Sequence, residues 1–175
     1  RVNSLDRFIK DITDYSRNNR LELKKEQVNI AALAWEVWEN LKYSPEAENI
    51  QFLVEIPEDL EIVTDKSRLQ VVITNLLSNA VRYHDSRKKE QYIRLQYQAN
   101  GGVFSIKVED NGQGIAKEYH TRIFEMFYRA NEMSKGSGLG LYIVKEALMK
   151  LSGSIQLDST PGIGTIITVR LPHRH

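Results

Sequence analysis

A carboxylate at the end of a predicted strand is the first feature of this sequence that could carry chemistry. The apolar strand at residues 104–108 leads into Asp110, and Gly112 and Gly114 follow one residue apart. A carboxylate held at a strand end accepts a hydrogen bond from a flat ligand edge, and glycines let such a ligand lie close to the main chain. Alone, this spacing is more typical of a turn, so the hypothesis of a ligand site depends on other segments.

A polar stripe on the helix predicted at 66–83 is the second feature. With about 100° between successive residues, Asn75, Asn79 and Arg82 lie along the border of an apolar arc, and Tyr83 bridges the two. Asparagine is a mediocre helix residue, so the stripe indicates a bound polar group, although a solvated edge also explains it. Amide oxygens suit a hard cation such as Mg²⁺, arginine suits phosphate oxygens, and tyrosine flanks a flat ring.

A glycine-rich loop is the third feature. Gly136, Gly138 and Gly140 lead into an amphipathic helix predicted at 141–151. Bare amide groups at the positive end of a helix dipole are suited to holding phosphates. The loop is not a Walker A sequence, because no Lys-Ser/Thr follows the last glycine, and its spacing also differs from the dinucleotide-binding pattern.

The segment before this loop has neither helical nor strand periodicity, which is typical of a mobile lid. It begins with the aromatic run at 124–129, and its cations are Arg129 and Lys135, each of which is equally well explained by simple solvation. Thr165 follows a turn at 161–164. Its hydroxyl either joins a ligand network or belongs to an ordinary strand threonine.

Composition excludes several classes of protein. The 175 residues suit one domain with an appendage, and a net charge of +1 gives no support for a nucleic-acid partner. The lack of cysteine excludes disulfides and cysteine-ligated metals and indicates a reducing compartment. No apolar run approaches the roughly 20 residues of a membrane span. Because the first residue is arginine and not methionine, we expect a piece of a longer protein.

The elements that position these residues follow from hydrophobic periodicity and turn residues. Asp65 is the predicted N-cap of the helix at 66–83, and a glycine pair at 101–102 predicts a hairpin. Helices are predicted at 1–17, 31–43, 66–83, 117–123 and 141–151, and strands at 26–30, 50–56, 60–63, 92–98, 104–108, 153–158 and 165–171.

The N-terminal helix has two alternative roles. Its apolar residues repeat at the spacing of a coiled-coil or helix-bundle seam, and a polar break is expected at 17–20. The helix either folds back on the domain or belongs to an intermolecular bundle, and the spacing favours the bundle. The seam consists of Val2, Leu5, Ile9, Ile12 and Ser16.

Five segments stand in a fixed order. They are NLLSNAVRY at 75–83, DNGQGI at 110–115, FEMFYR at 124–129, GSGLGL at 136–141 and GIGT at 162–165. Together they resemble the ATP-binding catalytic domain of bacterial sensor histidine kinases, with its N box, F box and three glycine boxes. The resemblance covers residues 26–172, and residues 1–20 are similar to the end of the second helix of the dimerisation and histidine-phosphotransfer domain.

The resemblance implies a fold and a set of roles. The fold is an α+β two-layer sandwich of the Bergerat type, a mixed β-sheet packed on three helices plus an N-terminal helix. Asp110 would accept a hydrogen bond from the adenine amino group, and Tyr83 would lie against the adenine. Asn79 would ligate Mg²⁺ with support from Asn75, and Arg82 would contact phosphate.

Further contacts are implied for the glycine boxes and the lid. Gly112 and Gly114 would admit the base, the three lid glycines would hinge the lid and face the phosphates, and Arg129 would reach the terminal phosphate. The implied catalytic residues are Asn79, Arg82 and Arg129. The implied ATP contacts are Asn75, Asn79, Arg82, Tyr83, Asp110, Gly112, Gly114, Ile115, Phe127, Gly136, Gly138, Leu139, Gly140 and Thr165.

One departure from the family pattern concerns the phosphoacceptor. The histidines are His84, His120, His173 and His175, and none lies in an upstream helix where the family places its acceptor. We therefore expect transfer to a histidine on a segment missing from this chain, and no general base is assigned. His84 precedes Asp85, but it follows the N-box helix directly.

The resemblance also implies partners. These are the protein's own dimerisation and phosphotransfer domain and the receiver domain of a response regulator, with a homodimer in the full-length protein. No nucleic acid and no membrane contact are expected for this piece, which would be cytoplasmic whether or not the full-length protein is membrane-anchored. Two rivals remain: an ATPase like those of gyrase, MutL or the related heat-shock chaperone, and a non-catalytic nucleotide-binding module. The former tend to carry an acidic residue on the N-box helix, where this chain has asparagines.

Overall fold

The computed structural model describes residues 2–20, 22–125 and 139–172. Two short 3₁₀ turns, Pro45–Ala47 and Lys117–Tyr119, accompany the regular elements. The helices are α1 Val2–Arg20, α2 Ile30–Leu41, α3 Lys66–Arg82 and α4 Gly140–Lys150. The strands are β1 Lys25–Asn29, β2 Ile50–Glu55, β3 Glu61–Asp65, β4 Gln91–Asn100, β5 Val103–Asp110, β6 Ser154–Thr160 and β7 Gly164–Pro172.

The main sheet is mixed and has five strands in the order β2-β4-β5-β7-β6. The pair β2–β4 is parallel, and the three other pairs are antiparallel. β1 and β3 form a separate two-stranded antiparallel sheet, which was not predicted. The register places Asp110, the last residue of β5, opposite Thr165 of β7 and Ile93 of β4.

Among the described residues, an apolar core joins the sheet to α2, α3 and α4. Alternate residues of the central strands are buried, as expected for strands with one covered face. Examples are Phe104, Ile106 and Val108 of β5, which meet the apolar arc of α3. The predicted two-layer α+β sandwich of the Bergerat type is therefore confirmed. None of the helices in the described ranges combines the length and hydrophobicity needed to cross a membrane.

The start of α3 is fixed as predicted, because Asp65 caps it. The Asp65 carboxylate accepts from the Arg68 amide at 3.0 Å, from the Lys24 amide at 3.0 Å and from Arg68 Nη1 at 2.6 Å. Burial opposes ionisation, but these hydrogen bonds prevail and lower the pKa of Asp65. The same arginine thereby belongs both to the cap and to the contact with α1.

The helix α1 continues to Arg20, so the predicted polar break at 17–20 was wrong. Arg68 provides the reason, since its Nε donates to Asn18 Oδ1 at 2.9 Å and its Nη2 to the Asn18 carbonyl at 3.0 Å. These tertiary hydrogen bonds offset the weak helix propensity of the polar residues.

α1 also packs against α4, where the rings of Tyr15 and Tyr142 are 5.7 Å apart. Its apolar seam nevertheless faces outward, with Leu5 61% and Ile9 56% exposed. The helix is thus folded back on the domain through its polar and aromatic side, while the seam that favoured a bundle remains exposed.

Candidate functional site

Asp110 lies at the end of β5, where its Oδ1 accepts from the Gly112 amide at 2.8 Å. Burial raises its pKa to about 6, while hydrogen bonds from the Gly112 and Thr165 amides and the charge on Lys88 oppose this shift. The carboxylate is therefore held rigidly, and it is ionised above roughly pH 6.

The two glycines after Asp110 are required by the protein's own backbone. A Cβ on Gly112 would lie 2.5 Å from the Tyr83 carbonyl oxygen. Gly114 has φ +75°, and a Cβ there would overlap the Thr160 carbonyl and lie 2.9 Å from Pro161 Cα. In this structure, these glycines let backbone segments of the protein approach each other closely. Their role in admitting a nucleotide base remains a prediction.

Hydrogen bonds join the residue 111–115 loop to α3 and to the β6–β7 turn. The Gln113 amide donates to the Tyr83 carbonyl at 3.0 Å, and the Gly162 amide donates to the Gln113 carbonyl at 2.8 Å. The Ile115 amide donates to Ser159 Oγ at 2.8 Å. This loop, the end of α3 and the turn consequently form one connected unit.

Thr165 belongs to the same unit. Its hydroxyl is 2.8 Å from Ser159 Oγ and its side chain is buried, which is compatible with a structural role, and its contact with ATP stays a prediction. Ile115 also makes a backbone contact within the protein, since its carbonyl oxygen lies 2.8 Å from His120 Nε2.

The N-box stripe meets the start of α4. Asn75 Nδ2 donates to the Val71 carbonyl at 2.8 Å, and a Cβ on Gly140 would be 3.2 Å from Asn75 Oδ1. Leu139 is 1% exposed and anchors the first turn of α4 in the interior, where its carbonyl accepts from the Ile143 amide at 2.8 Å. Asn75 and Gly140, both predicted site residues, therefore lie close together, whereas the Leu139 side chain is buried in the core.

Asn79 and Arg82 adjoin each other at the end of α3. Arg82 Nη1 donates to Asn79 Oδ1 across a long 3.5 Å, and the guanidinium carbon lies 5.9 Å from the centre of the Tyr83 ring. Arg82 Nε is buried without a hydrogen-bond partner among the described residues. Burial lowers the Arg82 pKa, Arg7 adds to this effect, and Tyr83 and Asp11 oppose it.

The donor set at this end fits Mg²⁺ better than a transition metal. The described ranges contain no group of three His, Cys, Asp or Glu side chains that could hold a metal. α3 itself has no carboxylate. A cation here would take neutral amide oxygen from Asn79 and complete its shell with phosphate and water oxygens, as Mg²⁺ does.

Several predicted site residues lie outside the described residues. These are Phe127, Arg129, Gly136 and Gly138, together with Lys135.

Sequence reasoning missed two residues that organise the site. Lys88 Nζ donates to the carbonyls of Asn111 at 2.6 Å, Gly112 at 3.2 Å and Ile163 at 3.0 Å. Ser159 links the Ile115 amide to the Thr165 hydroxyl. Lys88 lies in a charged turn without periodicity, so nothing in the sequence distinguishes it from Lys89. For Ser159, the available signal was the pairing of β6 with β7, which places Ser159 opposite Thr165.

Comparison with known proteins agrees with this geometry. Residues 64–175 match the family described as histidine kinase-, DNA gyrase B-, and HSP90-like ATPases. The chain is 30% identical to the sensor histidine kinase AtsR of Burkholderia thailandensis over 176 residues, which is 97% of this chain and 29% of that protein. It is 32% identical to the sensor-like histidine kinase SenX3 of Mycolicibacterium smegmatis over 149 residues, 83% of this chain and 38% of that protein.

Solved structures give the same result. The mycobacterial sensor histidine kinase MprB matches with a TM-score of 0.72 and 26% identity over 86% of this chain and 99% of that chain. Full-length ShkA in complex with AMPPNP matches with a TM-score of 0.78 and 26% identity over 95% of this chain and 35% of that chain. The chain belongs to the family of histidine kinase-, gyrase B- and HSP90-like ATPases, as an ATP-binding catalytic domain of the sensor histidine kinase type.

Proposed function

We propose that this chain binds ATP with Mg²⁺ and transfers the γ-phosphoryl group to a histidine on a separate dimerisation and phosphotransfer domain. The observation that carries the proposal is the convergence of three motifs on the end of α3. Gly112 abuts the Tyr83 carbonyl, Gly140 abuts Asn75, and Asn79 and Arg82 lie on the same helix.

Adenine recognition is assigned to Asp110. Its carboxylate is fixed by the Gly112 amide, which leaves acceptor capacity for the exocyclic amine of adenine. A raised pKa of about 6 still leaves it ionised under neutral conditions. Tyr83, whose carbonyl holds the loop through the Gln113 amide, would place its ring against the base.

Phosphate binding is assigned to the end of α3 and the start of α4. Arg82 would donate to phosphate oxygens through its partly buried guanidinium, and the first turn of α4 would present amide groups at the positive end of its dipole. Asn79 would hold Mg²⁺, which would supply positive charge to neutralise the phosphates. Gly136, Gly138 and Arg129 are proposed to complete this end.

The chain's contribution to catalysis would be positioning and charge compensation. Phosphoryl transfer requires little covalent chemistry from the protein, so fixed donors around the phosphates supply most of the effect. The related ATPases tend to carry an acidic residue on the N-box helix to activate water, whereas α3 contains no Asp or Glu. This observation favours the kinase over the ATPase alternative.

The proposed partners follow from the same assignment. The chain spans 29% of AtsR and 38% of SenX3, so the activity of the whole protein is part of the proposal. α1 would be the end of the dimerisation and phosphotransfer domain, and a receiver domain would accept the phosphoryl group from the histidine. We also propose that the domain lies in the cytoplasm. The full-length protein would be a homodimer.

Phosphotransfer to a separately produced dimerisation domain tests the proposal. With γ-labelled ATP and Mg²⁺, the label should appear on the acceptor domain, and Asn79→Ala should reduce its rate by about two orders of magnitude. Asn100→Ala, at the exposed end of β4, is the matched control and should leave the rate unchanged. Absence of ATP binding in calorimetry, or label on this chain's own His84, would overturn the assignment.

A further inference from the structure

Lys88 makes an unusually complete set of contacts for a surface-loop lysine. All three donors of its ammonium group are directed at backbone carbonyls, those of Asn111, Gly112 and Ile163, at 2.6, 3.2 and 3.0 Å. No side-chain carboxylate is among these partners. The ammonium group therefore joins two loops whose contacted residues are at least 51 positions apart along the chain, as a bound cation would.

Both loops border Asp110. Asn111 and Gly112 follow it directly, and Gly112 donates its amide to Asp110 Oδ1 at 2.8 Å. Ile163 precedes Gly164, whose missing Cβ would lie 2.9 Å from Asn111 Cα. A displacement of either loop would consequently move the amide that holds the Asp110 carboxylate.

We infer that Lys88 is a positioning residue for adenine recognition, which ties the two loops together and places a compensating positive charge beside Asp110. The inference rests on the proposed function, since it assigns Lys88 a role in the same nucleotide site. Lys88 does not itself touch the ligand in this assignment, because its three donors are occupied by the protein.

Electrostatics support the role. Within the described part of the chain, the charged and titratable groups that act on Asp110 include Lys88, Glu109 and Tyr92. Glu109 is partly compensated, because Arg94 Nη1 lies 3.5 Å from Oε1 and the Tyr92 hydroxyl donates to Oε2 at 2.9 Å. Burial and Glu109 raise the pKa of Asp110, and Lys88 lowers it.

The simpler alternative is that Lys88 stabilises the fold only. That role predicts a lower melting temperature on substitution with no change in the ionisation of Asp110. The positioning role predicts that removal of the charge moves the Asp110 titration upward, and that adenosine and ATP lose affinity equally because the effect is confined to the adenine end.

The experiment compares Lys88→Met with Lys88→Arg and with Lys89→Met, a control at the exposed neighbour. The Asp110 carboxyl is titrated by ¹³C NMR without nucleotide, and ATP and adenosine binding are measured by calorimetry from about pH 5.5 to 8. In the wild type, affinity should fall by up to about fourfold from pH 7.5 to 5.5, because the protonated carboxyl is a weaker acceptor than the carboxylate.

Lys88→Met should raise the Asp110 midpoint by about one pH unit, which by itself weakens both ligands about twofold at pH 7. Displacement of the two loops that Lys88 joins should bring the total loss to about tenfold for both ligands. Lys88→Arg should retain the wild-type midpoint, and Lys89→Met should match the wild type. If Lys88→Met does not fold, Lys88→Gln, which retains a donor without the charge, replaces it.

An unchanged Asp110 midpoint in the uncharged variant would overturn the inference. A wild-type chain that binds no ATP would instead overturn the proposed function, and the nucleotide-free titration would still decide the role of Lys88.

Discussion

The two ends of the proposed nucleotide site are built differently. At the adenine end, the loop after Asp110 is joined to the end of α3, to the β6–β7 turn and to Lys88 by hydrogen bonds of 2.6 to 3.2 Å. At the phosphate end, Asn79 Oδ1 accepts a long bond of 3.5 Å, and Arg82 Nε has no partner among the described residues.

This difference indicates how binding energy is distributed. A site with its hydrogen bonds already made loses little conformational entropy when a ligand binds, which favours selectivity for one base. Buried polar groups without partners are costly until a ligand satisfies them, so the phosphate end gains most from its ligand. Three substitutions test this contrast, beginning with the largest expected effect.

Gly114→Ala should damage the adenine end most. The new Cβ would overlap the Thr160 carbonyl at φ +75°, so the loop must move and ATP affinity should fall by at least about 100-fold, with a lower melting temperature. Gly101→Ala is the control, because φ is +64° there and no atom lies within 4 Å. Calorimetry and thermal denaturation measure both; equal behaviour of the two variants would contradict the crowding argument.

Asp110→Asn should weaken ATP and adenosine alike by about 10- to 100-fold, since a charge-assisted hydrogen bond is lost. Asp158→Asn, at an exposed position of β6, should bind normally.

The same substitution has a consequence for stability. Because burial raises the pKa of Asp110 from 3.8 to about 6, the folded state binds more protons between these values. Stability contributed by Asp110 is therefore present at low pH and falls as pH rises through this window. Asp110→Asn should flatten that part of a melting-temperature profile. A profile identical to the wild type would show that the carboxyl is not buried as described.

Arg82→Met should give the smallest and most selective effect. ATP affinity should fall about tenfold through the loss of charge-assisted hydrogen bonds to phosphate, while adenosine affinity should stay unchanged. Arg87→Met is the control, because its side chain is exposed and pairs with Asp85. Equal losses of affinity for ATP and adenosine would assign Arg82 to the adenine end and would contradict the proposed difference between the two ends.

Much of the fold was predictable because its signals are local. Asp65 as the cap of α3, the hairpin at Gly101 and Gly102, and the alternation in β5 and β7 each depend on a few adjacent residues. The continuation of α1 to Arg20 was not predictable, since it depends on Arg68, 50 residues away from Asn18.

The site shows the same division. The Asn75–Asn79–Arg82 stripe and Asp110 were predicted as site residues from spacing and strand ends, whereas Lys88 contributes through hydrogen bonds to carbonyls, which every residue has. The glycines at 112 and 114 were likewise predicted as site residues, but the sequence does not show why glycine is required there. Their positions were visible in the sequence, but the atoms that crowd them belong to Tyr83 and Thr160.

The hydrogen bonds of Arg68 have a mechanical consequence. This side chain holds Asn18 at the end of α1, the Glu22 carbonyl at 3.4 Å and Asp65 at the start of α3. While these hydrogen bonds persist, the connection between α1 and α3 is rigid and does not act as a flexible linker. A twist of α1 would then move the first turn of α3, and a stiff α3 would carry that motion about three turns further to Asn79 and about four turns further to Arg82.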